Sequence, residues 1–180
     1  MAVFEVNGGN KLRGEIEPQG AKNEALQVIA AVLLTEEEVV ISNIPDIIDV
    51  NLLIDLLREI HVTVNKLDAH TYSFRAKDVK LEDLQTESFH KKASRLRGSI
   101  MLAGPLLARF RKAFIPKPGG DKIGRRPLDT HIRGLEKLGA RAHFDTGNGF
   151  FLLEANDLTG CYMLLDEPSV TGTANIVRSE

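Results

Sequence analysis

An internal repeat constrains the fold of this chain more than any other feature of its sequence. The apolar segment AAVLL at 30–34 is matched by AGPLL at 103–107, and Pro45 is matched by Pro118, each 73 residues later. Farther along, apolar helix positions match at a spacing of 78 residues, so the second copy carries five additional residues after Pro118. A repeat of this length indicates supersecondary units that stack on one another, since each is too small to bury its own apolar face.

Apolar periodicity predicts the same order of elements in both units: a helix, a strand, a second helix and a hairpin. In the first unit these are a helix from Ala21, a strand at 38–41, a helix from Asp49 to Ile60, and a hairpin of 62–64 with 72–74. In the second unit they are the segment at 103–107, a strand at 113–115, a helix through Ile132, Leu135 and Leu138, and a hairpin turn at 145–149. This mixture of helices and strands predicts an α/β or α+β fold.

The two ends of the chain carry further patterns. Loose alternation around a Gly-Gly turn predicts an opening hairpin at 4–17. Near the other end a third unit begins, with a predicted strand at 162–165 and Ser169 as the N-cap of a helix that runs to Val177. Because a helix of about three turns is marginal by itself, the sequence predicts that the natural product continues beyond Glu180.

Composition excludes several classes of protein. With 180 residues, 43% hydrophobic and 27% charged, the chain is typical of a soluble globular protein. A net charge of −2 without a basic stripe argues against a nucleic-acid partner. The sequence has neither a signal pattern nor a long apolar run, which argues against a membrane partner and favours the cytoplasm. The single cysteine, Cys161, excludes an internal disulfide, and its place at a predicted strand start indicates an inert packed thiol.

A glycine-rich corner at 118–131 follows the predicted strand at 113–115 and opens the next helix. Its three glycines let the backbone turn where a side chain would clash, and Pro127 suits the first helical turn. Asp121 lies between the glycines, with three basic residues beside it. An anion at this corner would meet cations together with free backbone N–H groups at a helix N-terminus. The same residues also fit a solvated loop whose charges only maintain solubility.

Cations also begin the predicted helices at equivalent positions of the two units. Lys22 and Asn23 start the first helix, and Arg95 and Arg97 lie at the matching place in the second unit. The helix dipole makes cations unfavourable at helix N-termini, so their recurrence indicates an anion between them, with phosphate the usual one. Taken singly, each also fits a surface cation whose stem covers apolar neighbours. Among the histidines, His131 alone is predicted to lie on the helix that begins at the glycine-rich corner.

Three linked motifs resemble those of the enolpyruvyl transferase family, in particular of its UDP-N-acetylglucosamine 1-carboxyvinyltransferases. They are Gly20-Ala21-Lys22-Asn23, then Arg97-Gly98-Ser99-Ile100 with Gly104-Pro105-Leu106, and the corner from Pro118-Gly119-Gly120 through Arg126-Pro127-Leu128-Asp129-Thr130-His131. The resemblance implies transfer of the enolpyruvyl group of phosphoenolpyruvate to the 3-hydroxyl of UDP-N-acetylglucosamine with release of phosphate. That reaction is the first committed step of peptidoglycan synthesis.

The resemblance also implies an architecture. Members of the family have two domains, each an inside-out α/β barrel of three repeated βαβαββ units, with the active site in the cleft between them. On this plan residues 1–20 belong to the second domain, and residues 21–180 form the repeated-unit domain, truncated in its third repeat. The substrates are small molecules, and neither a metal nor an organic cofactor is expected.

The resemblance implies which residues of this chain form the site. Lys22 and Asn23 match the pair that contacts phosphoenolpyruvate, where Lys22 would neutralise phosphate and the charge that develops during transfer. Arg97 and Arg126 match arginines that hold the anionic substrates, a task suited to the planar fork of a guanidinium. The residues that match the UDP-sugar-binding segments are Arg126, Pro127, Leu128, Asp129, Thr130, Glu167, Pro168, Ser169 and Val170.

Asp121 departs from the common pattern of the family. Many members have a cysteine here, on a mobile loop, and fosfomycin alkylates that cysteine. A carboxylic acid kept protonated in a closed, dry site can supply the same proton to C3 of phosphoenolpyruvate. We therefore expect Asp121 to be catalytic and the complete enzyme to resist fosfomycin. The family's general base, an aspartate, is expected beyond Glu180, so the 180-residue chain alone is expected to be inactive.

Two other functions remain open. The sister enzyme of aromatic biosynthesis transfers the same group to shikimate 3-phosphate and shares the fold and the early lysine. The long corner with Asp121 and the segment at 126–129 favour the UDP-sugar enzyme. A non-catalytic sugar-nucleotide-binding module on the same fold is the other alternative. Retention of Lys22, Asp121 and Arg126 argues against it, because such a module has no need for both cations and the acid.

Overall fold

The computed structural model describes residues 3–119 and 127–179 of the chain. In these ranges, helices alternate with short strands, and none of the helices is long and apolar enough to cross a membrane. The first unit contains α1 (Lys22–Ala31), a 3-10 helix (Val32–Leu34), β1 (Glu38–Ile41), α2 (Ile48–Glu59), β2 (Thr63–Lys66) and β3 (Tyr72–Arg75). A 3-10 helix (Leu81–Gln85) and α3 (Glu87–Ala93) connect it to the second unit.

The second unit repeats this order of helices and strands. It contains a 3-10 helix (Arg97–Leu102), α4 (Ala103–Phe110), β4 (Lys112–Pro116), α5 (Asp129–Lys137), β5 (Arg141–Asp145) and β6 (Phe150–Glu154). The last described helix is α6 (Val170–Val177), at the place predicted for the first helix of a third unit. The connection through α3 was not predicted from periodicity.

Each unit folds its three strands into one antiparallel sheet of the same topology. The order is β1-β3-β2 in the first sheet and β4-β6-β5 in the second, so the last strand of each unit lies in the middle. Val40 lies opposite Ser73 in the first sheet, and Phe114 lies opposite Leu152 in the second. The predicted repeat is therefore confirmed, since both copies adopt the same arrangement.

Helices supply much of the buried core, whereas one edge strand of each sheet, β2 or β5, is largely exposed. In α2, Val50, Leu53, Ile54 and Leu57 recur with helical spacing, and all four are buried. Helix α4 is enclosed by its neighbours, including β4 and α6. Strand β2, by contrast, exposes three of its four residues. This is the inside-out α+β arrangement expected from the sequence, although the two sheets stay separate within the described ranges and close no barrel.

Two predicted strand segments are wrong. Residues 4–17 form no strand, and the side chain of Ile16 is 94% exposed. Residues 162–165 form no strand either, and Tyr162 is 99% exposed. A segment with the apolar pattern of a strand becomes one only where a neighbouring strand supplies hydrogen bonds and a surface to pack on. Neither segment has such a neighbour in the part of the chain that the structure describes. The assignment of residues 1–20 to a second domain stays a prediction.

Near the predicted start of a third unit, the helix was predicted correctly, whereas the burial of the cysteine was predicted incorrectly. Helix α6 begins after Ser169, whose Oγ accepts a hydrogen bond from the N–H of Gly172 at 3.0 Å, as expected of an N-cap. Cys161 is exposed instead of packed, and its Sγ donates to the carbonyl oxygen of Lys137 over 3.5 Å. The thiol is exposed because the segment around it is not part of a sheet.

Two glycines let α6 approach its neighbours closely. A Cβ on Gly104 of α4 would lie 2.2 Å from the backbone oxygen of Asn175, whereas a Cβ on Gly134 of α5 would lie 2.2 Å from Cδ1 of Ile176. Both distances are too short for real atoms. Backbone can move only with its whole helix, but the end of an isoleucine side chain can rotate away.

We predict that Gly104→Ala destabilises the chain much more than Gly134→Ala. The first change forces α4 and α6 apart and should lower the free energy of unfolding by about 2 kcal/mol or more. In the second, movement of Ile176 is offset by the better helix propensity of alanine, so the change should stay within about 1 kcal/mol. Urea unfolding followed by circular dichroism measures both. Equal losses in the two variants would contradict backbone contact between α4 and α6.

Candidate functional site

Seven of the predicted site residues line one polar cavity of about 350 Å³. Its walls come from the N-terminal ends of five helices: α1, α2, the helix that starts at Arg97, α5 and α6. The lining residues are Lys22, Asn23, Leu26, Asp49, Arg97, Gly98, Ile100, Pro127, Thr130, His131, Glu167, Ser169 and Thr171. Two larger grooves, of about 770 and 720 Å³, lie against α6 and are mainly apolar. The smaller cavity is the better candidate, because converging polar groups fix a ligand's orientation.

The structure brings together seven of the residues predicted to bind substrate. These are Lys22, Asn23, Arg97, Pro127, Thr130, Glu167 and Ser169. Leu128 packs instead against the apolar core, and Asp129 is exposed in the first turn of α5. Pro168 and Val170 line the larger groove between α1 and α6. The remaining two, Asp121 and Arg126, lie outside the described residues.

Lys22 reaches the cavity as the first residue of α1. Its ammonium group forms an ion pair with the carboxylate of Asp49, in the first turn of α2. Both side chains are partly exposed, and ion pairs in such positions contribute little stability. A phosphate can therefore replace the Asp49 carboxylate as the partner of Lys22 at small cost. The N-cap residue of α1 is Ala21, which provides no side-chain cap, so a ligand can accept from the first N–H groups of the helix.

Arg97 ties the start of the second unit to the start of α5. Its Nη2 donates to the carbonyl oxygen of Pro127 over 3.1 Å. The 3-10 helix that begins at Arg97 has Leu96 as its N-cap, again without a side-chain cap. Arg97 and Gly98 both line the cavity, so a cation and the uncapped start of a helix lie together there, a combination that suits an anion. Arg95 is exposed and is not among the described residues that line the cavity.

Glu167 balances part of the positive charge. Its Oε1 accepts a hydrogen bond from Oγ1 of Thr130 at 3.2 Å, which joins the segment before α6 to α5. The described lining thus contains two cations, Lys22 and Arg97, and two carboxylates, Asp49 and Glu167. The helix N-termini supply additional positive potential, while the carboxylates can accept from hydroxyl or amide groups of a ligand.

His131 is held by a buried network that sequence reasoning largely missed. Its Nδ1 lies 3.2 Å from Nδ2 of Asn175, and its Nε2 lies 3.3 Å from Oγ1 of Thr171. Burial, and then the nearby positive charge of Arg97, lower the pKa of His131 to about 4. The ring is therefore neutral near pH 7. A polar residue at position 175, on the buried face of a short helix, is the sequence signal that could have revealed this network.

The chain is similar to known proteins over nearly its whole length. A family model described as EPSP synthase (3-phosphoshikimate 1-carboxyvinyltransferase) matches residues 6–179. A Bacteroides thetaiotaomicron protein named UDP-N-acetylglucosamine 1-carboxyvinyltransferase is 60% identical over 179 residues, covering 99% of this chain and 41% of that relative. One of the same name from Porphyromonas gingivalis is 55% identical with the same coverage. The chain thus spans about two fifths of the length of these relatives.

Solved structures show a similar fold. The enolpyruvyl transferase NikO from Streptomyces tendae matches with a TM-score of 0.75 and 21% identity, over 96% of this chain and 39% of that one. EPSP synthase from Acinetobacter baumannii matches with a TM-score of 0.66 and 16% identity, over 92% of this chain and 37% of that one. At these identities the likeness concerns the fold alone.

The lowered pKa of His131 predicts a loss of stability in acid. The unfolded state takes up a proton below about pH 6.5, whereas the folded state does so only near pH 4. Between these values the unfolded state binds more protons, so the free energy of unfolding falls as pH falls, by up to about 3 kcal/mol.

Urea unfolding between pH 7 and pH 4 measures this effect, with His131→Gln as the control. Carboxylates titrate in both proteins, so the difference between the two curves isolates the contribution of His131. The wild-type protein should lose stability more steeply than the variant below pH 6.5. Parallel curves would mean that the folded state protonates His131 as readily as the unfolded state does.

Proposed function

Because this chain belongs to the EPSP synthase family, we propose that the protein transfers the enolpyruvyl group of phosphoenolpyruvate to the 3-hydroxyl of UDP-N-acetylglucosamine and releases phosphate. The observation that carries the proposal is the convergence of Lys22, Asn23 and Arg97 on one cavity with Glu167 and Ser169. The choice of acceptor rests on the names of relatives that are 55–60% identical to the chain.

In the proposed complex, Lys22, Asn23 and Arg97 bind the anionic substrates. Lys22 exchanges its Asp49 partner for a substrate oxygen, and the uncapped N–H groups at the start of α1 add further donors. Arg97 offers a planar fork that suits a carboxylate or a phosphate. Thr130 of α5, with Glu167 and Ser169 from the segment before α6, binds polar groups of the UDP-sugar. Pro127, Leu128, Asp129, Pro168 and Val170 belong to the same proposed segments.

The chemistry needs proton transfers at two atoms. As the sugar oxygen bonds to C2 of phosphoenolpyruvate, the sugar hydroxyl loses a proton and C3 gains one. Loss of a proton from C3 then expels phosphate and restores the double bond. Positive groups at the phosphate stabilise the charge that develops in both steps. We assign the donation to C3 to Asp121 and substrate binding to Arg126, and both assignments rest on sequence alone.

Two alternatives are distinguished by simple measurements. The family description names 3-phosphoshikimate as the substrate of its type enzyme, which keeps shikimate 3-phosphate as the second candidate acceptor. A binding module without catalysis is the third possibility. In the preferred function the partners are small molecules, the product enters peptidoglycan synthesis, and the reaction takes place in the cytoplasm.

We predict that phosphate is released from phosphoenolpyruvate only when UDP-N-acetylglucosamine is the acceptor. The assay uses the full-length protein and offers each acceptor separately. Asp121→Asn, which cannot donate the same proton, should lower kcat about 10²- to 10⁴-fold. Arg97→Lys should lower kcat/KM about tenfold or more, because it loses the bidentate fork. The matched control, Arg95→Lys, changes an exposed arginine outside the cavity and should have no effect.

Each other outcome selects a different function. Release with shikimate 3-phosphate alone would identify the sister reaction. Release with neither acceptor, together with binding of UDP-N-acetylglucosamine, would identify a binding module. Full activity of Asp121→Asn would remove Asp121 from the proposed mechanism while leaving the reaction itself in place.

We also predict that the protein resists fosfomycin and that Asp121→Cys makes it sensitive. A thiolate is alkylated far more readily than a carboxylate, whereas a thiol and a carboxylic acid can both donate a proton. Residual activity is measured after incubation with fosfomycin. Both proteins carry Cys161→Ser, since that exposed thiol is a second possible target. Rapid inactivation of the protein that retains Asp121 would contradict the prediction.

A further inference from the structure

The side-chain amide of Asn175 has only one orientation that satisfies its neighbours. Asn175 is fully buried, and its Oδ1 accepts from the N–H of Gly104 at 2.7 Å. Its Nδ2 donates to the carbonyl oxygen of Ile100 at 3.0 Å. A flipped amide would set two donors against each other at Gly104 and two acceptors at Ile100. The NH₂ group must therefore be the part of Asn175 that faces His131.

This orientation determines which nitrogen of His131 carries the proton. Nδ1 lies 3.2 Å from Nδ2 of Asn175, and because that group can only donate, Nδ1 must accept. The neutral ring then holds its proton on Nε2. That proton points to Oγ1 of Thr171, 3.3 Å away. Protonation of Nδ1 would place two donors face to face, which adds to the cost of burying the charged ring.

The network ends at a hydroxyl group on the cavity wall. Thr171 lies in the first turn of α6, one turn before Asn175 on the same face of the helix, and His131 of α5 bridges the two. Since Oγ1 of Thr171 accepts from His131, its own O–H is free to donate elsewhere. Thr171 is exposed and lines the cavity directly after the segment predicted to bind the UDP-sugar.

We propose that Asn175, acting through His131, fixes the hydroxyl of Thr171 as a hydrogen-bond donor to the diphosphate of the bound sugar nucleotide. The inference rests on the proposed function of the cavity. A free hydroxyl can donate or accept, whereas a diphosphate only accepts. Presetting the donor lowers the ordering cost of binding. In this arrangement Asn175 and His131 are positioning residues, and Thr171 contacts the ligand.

The first test is independent of activity. Nitrogen-15 chemical shifts of His131 at pH 7 report its tautomer, and we expect the Nε2–H form. The Nδ1–H form or an imidazolium would overturn the inference. Asn175→Asp replaces the amide donor with an acceptor, so the proton of His131 should move from Nε2 to Nδ1. Oγ1 of Thr171 should then no longer receive a hydrogen bond from Nε2. If that buried variant fails to fold, the wild-type shifts and the surface variants below still decide the question.

The second test measures binding of UDP-N-acetylglucosamine by calorimetry. Thr171→Val removes the hydroxyl on an exposed position and should raise the Kd about tenfold, as loss of a hydrogen bond to a charged group does. Thr171→Ser keeps the hydroxyl and should restore the Kd to within about twofold of the wild-type value. Thr173→Val is the matched control, because Thr173 lies on the same helix and lines the apolar grooves instead of the cavity.

The outcomes separate this inference from the proposed function. Unchanged affinity in Thr171→Val, with normal binding by the wild-type protein, would overturn the donor role alone. A wild-type protein that binds no UDP-N-acetylglucosamine would overturn both. Affinity for phosphoenolpyruvate should not change in Thr171→Val, and a parallel loss there would indicate general damage to the cavity instead of a missing donor to the diphosphate.

Discussion

The cavity depends on the buried amide of Asn175. This side chain forms hydrogen bonds with the N–H of Gly104, the carbonyl oxygen of Ile100 and the ring of His131. These bonds fix the position of α6 relative to α4 and α5. Each of these groups would cost about 1–3 kcal/mol if it were buried without a partner. The contact therefore selects a single register for α6, and that register brings Ser169 and Thr171 to the cavity wall.

The repeat explains why so many helix N-termini meet at one place. The helices that start at Lys22, at Arg97 and after Ser169 all begin at the cavity. Stacking equivalent units brings their equivalent ends together, so a modest positive potential from each helix is added to that of the others. Asp49 and Glu167 prevent an excess of positive charge, and they hold Lys22 and Thr130 in position.

Local elements were predictable where local forces create them. The spacing of apolar residues in α2 and the N-cap at Ser169 both depend on neighbours within a turn or two, and the sequence identified both correctly. Residues 4–17 alternate loosely and residues 162–165 form an apolar run, but a strand needs a partner strand, which the pattern of a single segment does not supply. The predicted burial of the Cys161 thiol is wrong for the same reason, because it assumed that a strand begins there.

The sequence by itself determined the repeat, the helices that recur in it and the residue types that a phosphate requires, among them Lys22 and Arg97. Only the tertiary structure decided that Asp49 pairs with Lys22 and that Asn175 fixes His131. These partners lie far apart along the chain, and their contact depends on how closely helices approach one another. Gly104 permits that approach because it has no Cβ to meet the backbone of α6. Periodicity records which face of a helix is buried; it contains no information about which distant side chain will lie against it.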